Sequence, residues 1–175
     1  EMELVRDGRI EVCFCSFCAD GFRRWAQQSY VSLDRLNAEW GTAFASWDDV
    51  KPIAADEARK RGNFAQWVDF RGFMEDSLTR VCAAVKARVK QDFPDALIGL
   101  SDPFAINPFS GNNIVKQARV EESMTKYMRQ DMLKECIGLN PAAPSYTYFG
   151  YGGRPDWCRW YPWWFAMNRG QFLVW

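Results

Sequence analysis

Apolar residues recur at steps of three and four through much of this chain, and the elements they predict alternate with short apolar runs. From Ala19 to Tyr30, Phe22, Trp25, Ala26 and Ser29 fall on one helical face. A second helix begins after Ser32, a good N-cap, shows Leu33, Leu36 and Trp40 at helical spacing, and stops at Gly41. Thr42 to Arg61 reads as a long connection carrying Trp47, Asp48, Asp49 and Pro52. The strongest periodicity follows in Trp67, Phe70, Met74, Leu78, Val81, Val85 and Val89. It predicts one long amphipathic helix from about Ala65 to Gln91, ended by Phe93-Pro94.

The rest of the chain switches to short runs. Leu97 to Ser101 predicts a buried strand, and 102–113 is a loop rich in Pro, Gly and Asn. Ile114 to Cys136 has helical composition but ragged spacing. Ser145 to Phe149 is β-like, Gly150 to Arg154 is a glycine-rich turn, and Pro155 suits the first turn of a helix running to about Asn168. Gln171 to Trp175 predicts a last strand, and 1–12 a strand end near 1–4 followed by the turn signal Asp7-Gly8. Strands alternating with helices predict an α/β protein with parallel strands, which read as continuous apolar runs because both their faces are buried.

Composition narrows the function. The 175 residues are 48% hydrophobic, enough for a core, and 22 basic residues balance 22 acidic ones. That neutrality gives no electrostatic footprint for nucleic acid or an anionic membrane. The longest apolar run, Trp160 to Met167, is eight residues and contains a proline. A membrane-spanning helix needs about 20. The chain opens on Glu1 without a leader-like segment and stops at Trp175 within a predicted strand, so the expectation is a segment of a longer protein, truncated at both ends. Histidine is absent, which excludes Ser-His-Asp and Cys-His catalysis and HExxH metal sites. Carboxylates, Lys, Tyr or Cys must then carry any acid–base chemistry.

Three groups of residues carry candidate chemistry. Cys13, Cys15 and Cys18 form a Cys-x-Cys-x-x-Cys cluster, three soft ligands that could wrap one tetrahedral zinc with a fourth ligand from elsewhere. The plain alternative is free thiols or a disulfide. Cysteines clustered in this way lean the localisation toward the cytoplasm. The 9 Trp, 6 Tyr and 13 Phe could supply sugar-stacking faces. Helical spacing in Trp157, Trp160, Tyr161, Trp163 and Trp164 argues for core packing instead, whereas Trp175 ends a strand, where α/β folds place ligands. Among carboxylates, Glu1, Glu3, Glu11 and Asp102 lie near predicted strand ends or loops, and Asp131 and Glu135 near the end of the ragged helical stretch. Two carboxylates facing each other would support glycosidic cleavage.

The stretch Cys13-Phe-Cys-Ser-Phe-Cys18, Phe22-Arg-Arg-Trp25, Tyr30-x-Ser-Leu-Asp-x-Leu-Asn37, Trp40-Gly-Thr42 and Phe44-x-x-Trp47 resembles glycoside hydrolase family 42. These are retaining β-galactosidases and related enzymes on a TIM barrel. The resemblance continues through Asn63-Phe-Ala-x-Trp67 and the long helix and returns at Arg159–Trp175, while 102–145 match poorly. It implies a partial (β/α)8 barrel from about strand 4 to strand 8, with residues 1–175 one piece of a single catalytic domain.

The resemblance also implies roles. Glu1 (or Glu3) stands where the family's acid/base glutamate ends strand 4. The family's nucleophile is a glutamate ending strand 7; Glu135 is the best positional match to it and Asp131 the second, although the family's surrounding sequence is replaced by Leu133-Lys-Glu-Cys136. Tyr127, Tyr148 and Trp175 become candidate sugar contacts. Cys13, Cys15 and Cys18 become ligands of a structural zinc whose further cysteine lies upstream, and no organic cofactor is implied. The expected partner is a carbohydrate substrate, cleaved by a two-glutamate double displacement. No nucleic acid or membrane is expected, and homo-oligomerisation of the full-length protein is left open. The isolated segment is expected to be inactive. Two other classes stand beside this: a non-catalytic barrel that binds carbohydrate or serves a structural role, and a metal-stapled interaction module.

Overall fold

The computed structural model describes residues 13–102, 113–126, 130–149 and 155–174. They fall in two compact units, a helical one within 13–77 and a sheet-bearing one within 78–102 and 113–174. The strand expected near 1–4 and the turn at 150–154 lie outside the described residues.

The helical unit holds α1 (Ser16–Tyr30), α2 (Leu33–Trp40), α3 (Ala55–Arg61) and the first half of α4 (Ala65–Asp92). Phe22, Ala26, Leu36, Trp40, Val50, Phe70 and Phe73 are buried together. Phe22 stacks on Trp40 with ring centroids 5.8 Å apart and meets Phe70 edge-on at 5.4 Å. α2 is bounded as expected: the Ser32 side chain accepts from the Arg35 N–H, and Gly41 takes the left-handed φ of 64° that closes the helix. Asn37 then fixes the following turn, accepting from the Thr42 hydroxyl and the Phe44 N–H and donating to the Phe44 carbonyl.

A polar network ties α1, α2 and α4 together. The Tyr30 hydroxyl and the Trp40 indole N–H (2.8 Å) both donate to Asp69 Oδ2. Burial, reinforced by the Asp69 carboxylate, pushes the Tyr30 phenol well above its ordinary pKa.

The connection expected over Thr42–Arg61 is more ordered than its sequence suggests. It contains a 3-10 turn at Trp47–Asp49, closed by a reciprocal Ser46–Asp49 capping box, and the short helix α3. α4 spans the expected range, but its buried line differs in the second half. Leu78 and Cys82 are buried while Val81 and Val85 are about half exposed. Steps of four from Leu78 run to Cys82 rather than to Val81, so the valines sit to one side of the contact.

The sheet unit is parallel α/β, as the alternation predicts. β1 (Ser101–Asp102), β2 (Met124–Lys126), β3 (Ser145–Phe149) and β4 (Gly170–Val174) lie in chain order, every neighbouring pair parallel. α5 (Ile114–Ala118), α6 (Gln130–Leu139) and α7 (Pro155–Met167) fill the crossovers. β1 is shorter and later than the expected strand: Leu97 and Gly99 are exposed, and only Ser101 and Asp102 pair as a strand. β2 corrects the sequence expectation, which had made this stretch helical.

One register row, Met124, Ser145 and Gly170, lies on the helix-covered face. Met124 is buried with Met132, Leu133, Cys136 and Phe165. A Cβ at Gly170 would come within 2.7 Å of Phe165 and 2.9 Å of Leu133. The next row, Tyr146 and Gln171, takes the opposite face and is half-buried to exposed.

Glu122 anchors the second half of α4 to the residues entering β1. Lys90 and Lys86 stand 3.1 and 3.4 Å from its carboxylate, and its N–H donates to the Ile98 carbonyl at 2.7 Å. Desolvation works against the charge. The bonds from Lys90, the Ile98 N–H and Lys86 outweigh it and hold the carboxyl below the usual range. No helix among the described residues is long and apolar enough to cross a membrane.

Candidate functional site

The cysteine cluster is the best-defined group of potential ligands. Cys15 is the N-cap residue of α1 and Cys18 lies in its first turn, so the helix start folds Cys18 back toward Cys13 and Cys15. The three sulfurs lie within 4.8 Å of one another, and Cys13 Sγ is 3.2 Å from Cys15 Sγ. All three are free thiols, Cys13 and Cys15 exposed and Cys18 half-buried.

Their environments differ. The Cys18 backbone N–H leads the interactions that lower the Cys15 thiol, followed by bonds with the Cys13 and Cys18 side chains. Burial, then the neighbouring sulfurs, push Cys18 up to about 12. A thiol that neighbouring thiols hold protonated becomes a good ligand once a cation compensates their charge. Three converging soft donors open to solvent on one side fit a tetrahedral, sulfur-preferring ion with one further ligand. Among the described residues no fourth carboxylate or cysteine joins the group. Cys82 and Cys136 are buried elsewhere.

The carboxylates are spread along the sheet unit. Glu135 is exposed on α6, well inside the helix, whereas the resemblance places the nucleophile at the end of a strand. Asp131 lies in the first turn of the same helix, the turn that follows the C-terminal end of β2. Asp102 is the last residue of β1, and Lys126, its register partner, is the last of β2. Glu1, Glu3 and Glu11 lie outside the described residues. So do Tyr127 and Trp175. Tyr148 occupies β3, two residues beyond Tyr146 and in register with Leu173.

The aromatic run on α7 divides. Tyr161 and Trp164 pack against the core, Tyr161 with its ring 4.8 Å from that of Phe165. Trp163 is 69% exposed and Trp160 43%. Helical spacing thus puts two of these four aromatics on the core side, as expected for several of the run, and the Trp157 side chain lies outside those described.

The sequence pattern of the glycoside hydrolase family 42 beta-galactosidases matches residues 6–135. A beta-galactosidase of Geobacillus kaustophilus is 33% identical over 94 residues, covering 49% of this chain and 13% of that protein. One from Heyndrickxia coagulans is 29% identical over 104 residues, covering 54% of this chain and 15% of the relative. The chain thus spans about a seventh of the length of these relatives. Among solved structures, a beta-galactosidase from Rahnella sp. R3 superposes with a TM-score of 0.75 at 17% identity, over 93% of this chain and 28% of that one. The catalytic domain of a beta-amylase from Paenibacillus polymyxa superposes at 0.68 and 16% identity, over 89% of this chain and 47% of that one. At those identities the likeness is one of fold. The matched pattern covers most of the chain and includes the cysteine cluster, so the chain belongs to glycoside hydrolase family 42, the beta-galactosidase family.

Proposed function

We propose that the protein containing this chain is a retaining glycoside hydrolase that acts on β-galactosides, and that this chain forms strands 4 to 8 of its (β/α)8 barrel. The family match over residues 6–135 carries the proposal. The parallel, chain-ordered sheet with helices in the crossovers supports the barrel. On this reading the four described strands are strands 5 to 8, and the chemistry lies along their C-terminal ends.

In a double displacement one carboxylate attacks the anomeric carbon while the other, protonated, donates to the leaving oxygen and then activates water. We assign the acid/base role to Glu1. The resemblance places the nucleophile at the end of strand 7, which is β3 on this numbering, whereas Asp131 and Glu135 both follow β2; of these two candidates, helix position favours Asp131. The helix that follows a barrel strand starts at the catalytic rim and runs away from it. Four residues at 1.5 Å each set Glu135 about 6 Å further from that rim. Cys13, Cys15 and Cys18 hold a structural zinc that fixes the start of α1 and takes no part in bond cleavage.

The test is kinetic, on the full-length protein with an activated aryl β-galactoside. The first-formed sugar should keep the β configuration by NMR. Asp131→Ala should lose at least about a thousandfold in kcat, with azide restoring turnover, and Glu135→Ala should stay near wild type. The reverse pattern would move the nucleophile to Glu135. Loss in neither variant would remove both from the mechanism, and an α product would exclude retention.

A further inference from the structure

Cys15-Ser-Phe-Cys18 sets two thiols across the start of a helix, with Cys15 the N-cap of α1 and Cys18 in its first turn. Residues three apart at a helix start share a face and have Cα atoms about 5 Å apart. That spacing lies inside the range of about 4.4–6.8 Å that a disulfide spans. The sulfurs of the cluster already lie within 4.8 Å of one another. A Cys15–Cys18 bond therefore needs side-chain rotation and little backbone movement. Access differs across the pair: Cys15 is exposed to a dissolved oxidant, and Cys18 is half-buried beside it. An exposed thiol with a sheltered thiol next to it suits oxidation followed by capture. Cys82 and Cys136 are buried and lie outside the cluster, so they offer no such arrangement.

We propose that Cys15 and Cys18 form a reversible redox pair, oxidised to a disulfide by a peroxide. This goes beyond the glycosidase reading and does not depend on it. Cys15, as its thiolate, attacks one peroxide oxygen and the O–O bond breaks. The departing hydroxide takes up the proton lost from Cys15 and becomes water, and Cys15 is left as a sulfenic acid. The Cys18 sulfur then attacks the Cys15 sulfur, the S–O bond breaks, and a second water leaves with the Cys18 proton. The two thiols and one peroxide thus give a disulfide and two waters, the sulfurs losing the electron pair that the peroxide gains. A small dithiol reverses the step by exchange. The bond consumes Cys15 and Cys18 as ligands and leaves only Cys13 of the cluster, so disulfide and bound zinc exclude each other.

The experiment treats the full-length protein and its Cys13→Ser and Cys18→Ser variants with hydrogen peroxide. Disulfides are mapped by mass spectrometry of proteolytic fragments, with free thiols and released zinc measured alongside. Wild type should lose about two mass units in a Cys15–Cys18 bond that dithiothreitol reverses. About one zinc per chain should leave as the bond forms. Cys13→Ser lacks one metal ligand but keeps the pair, so it should form the same bond faster. Cys18→Ser should stop at a sulfenic acid on Cys15, which dimedone traps.

A bond mapped to Cys13–Cys15, or from either residue of the pair to any other cysteine, would overturn the proposal. So would a Cys15 that runs straight to irreversible sulfinic acid, or a pair that stays reduced under peroxide sufficient to oxidise free cysteine. A bond that forms with zinc retained would overturn the exclusion. Freshly purified protein that holds no zinc yet forms the bond would remove the zinc from the reading above and support the pair by itself. A protein that forms the bond and does not cleave β-galactosides would fail the glycosidase reading and leave the pair standing.

Discussion

Among the described glycines of the sheet unit, Gly99 is the one where an added carbon should do most damage. A Cβ there would stand 1.9 Å from the Ser123 carbonyl oxygen and 2.6 Å from its Oγ. Ordinary non-bonded contact begins near about 3.5 Å, so the two segments would have to separate by roughly 1.6 Å. The backbone at Gly99 is not in the left-handed region, so alanine suits its φ and the clash is the whole cost. Separation on that scale would carry the Glu122 N–H to Ile98 O bond, now 2.7 Å, beyond hydrogen-bond length. Overpacking of this kind costs about 1–3 kcal/mol and a lost buried bond about 1. The lower chain entropy of unfolded alanine returns less than about 1. Gly99→Ala should therefore destabilise by about 2–3 kcal/mol.

Gly138 supplies the control. It lies in α6 with open space around its Cβ position, so Gly138→Ala should stabilise by about 0.5–1 kcal/mol. Urea denaturation of both full-length variants gives the signs, and hydrogen exchange at the Glu122 amide reports the local opening. A Gly99→Ala protein as stable as Gly138→Ala, with the Glu122 amide still protected, would refute the close approach of these two segments.

Val31, between α1 and α2, has φ 65° and ψ −39°, a region hostile to a β-branched residue, and is 79% exposed. Val31→Gly should relieve that strain without losing burial and raise stability by about 1 kcal/mol; an unchanged or lower thermal midpoint would show no strain there. Tyr30 gives a pH dependence. Its folded pKa lies above the unfolded value of about 10, so its contribution is complete below pH ~10 and is lost as pH rises past it. Urea midpoints between pH 8 and 11.5 should fall more steeply for wild type than for Tyr30→Phe; parallel slopes would contradict the buried Tyr30–Asp69 contact.

What the sequence made legible follows from how many residues share each signal. α4 declares itself through seven apolar positions at helical spacing, and α2 through a serine cap and a stop glycine, because those features act locally. β2 is three residues long, Met-Thr-Lys, too short for any period, and flanking Glu and Ser residues dilute its one apolar side chain. Only the sheet as a whole explains it: β1 and β3 do not pair with each other, and β2 lies between them. The same limit separates the two candidate sites. The cysteine cluster was legible because its ligands sit within six residues, and one turn of helix brings them together. The carboxylates were not, because their roles depend on which strand end each occupies. The missed β2 moved that frame: with a strand ending at Lys126, Asp131 becomes a first-turn residue, Glu135 a helix-surface one, and Asp102 the register neighbour of a lysine. A catalytic assignment on a parallel sheet is thus only as good as its list of strand ends.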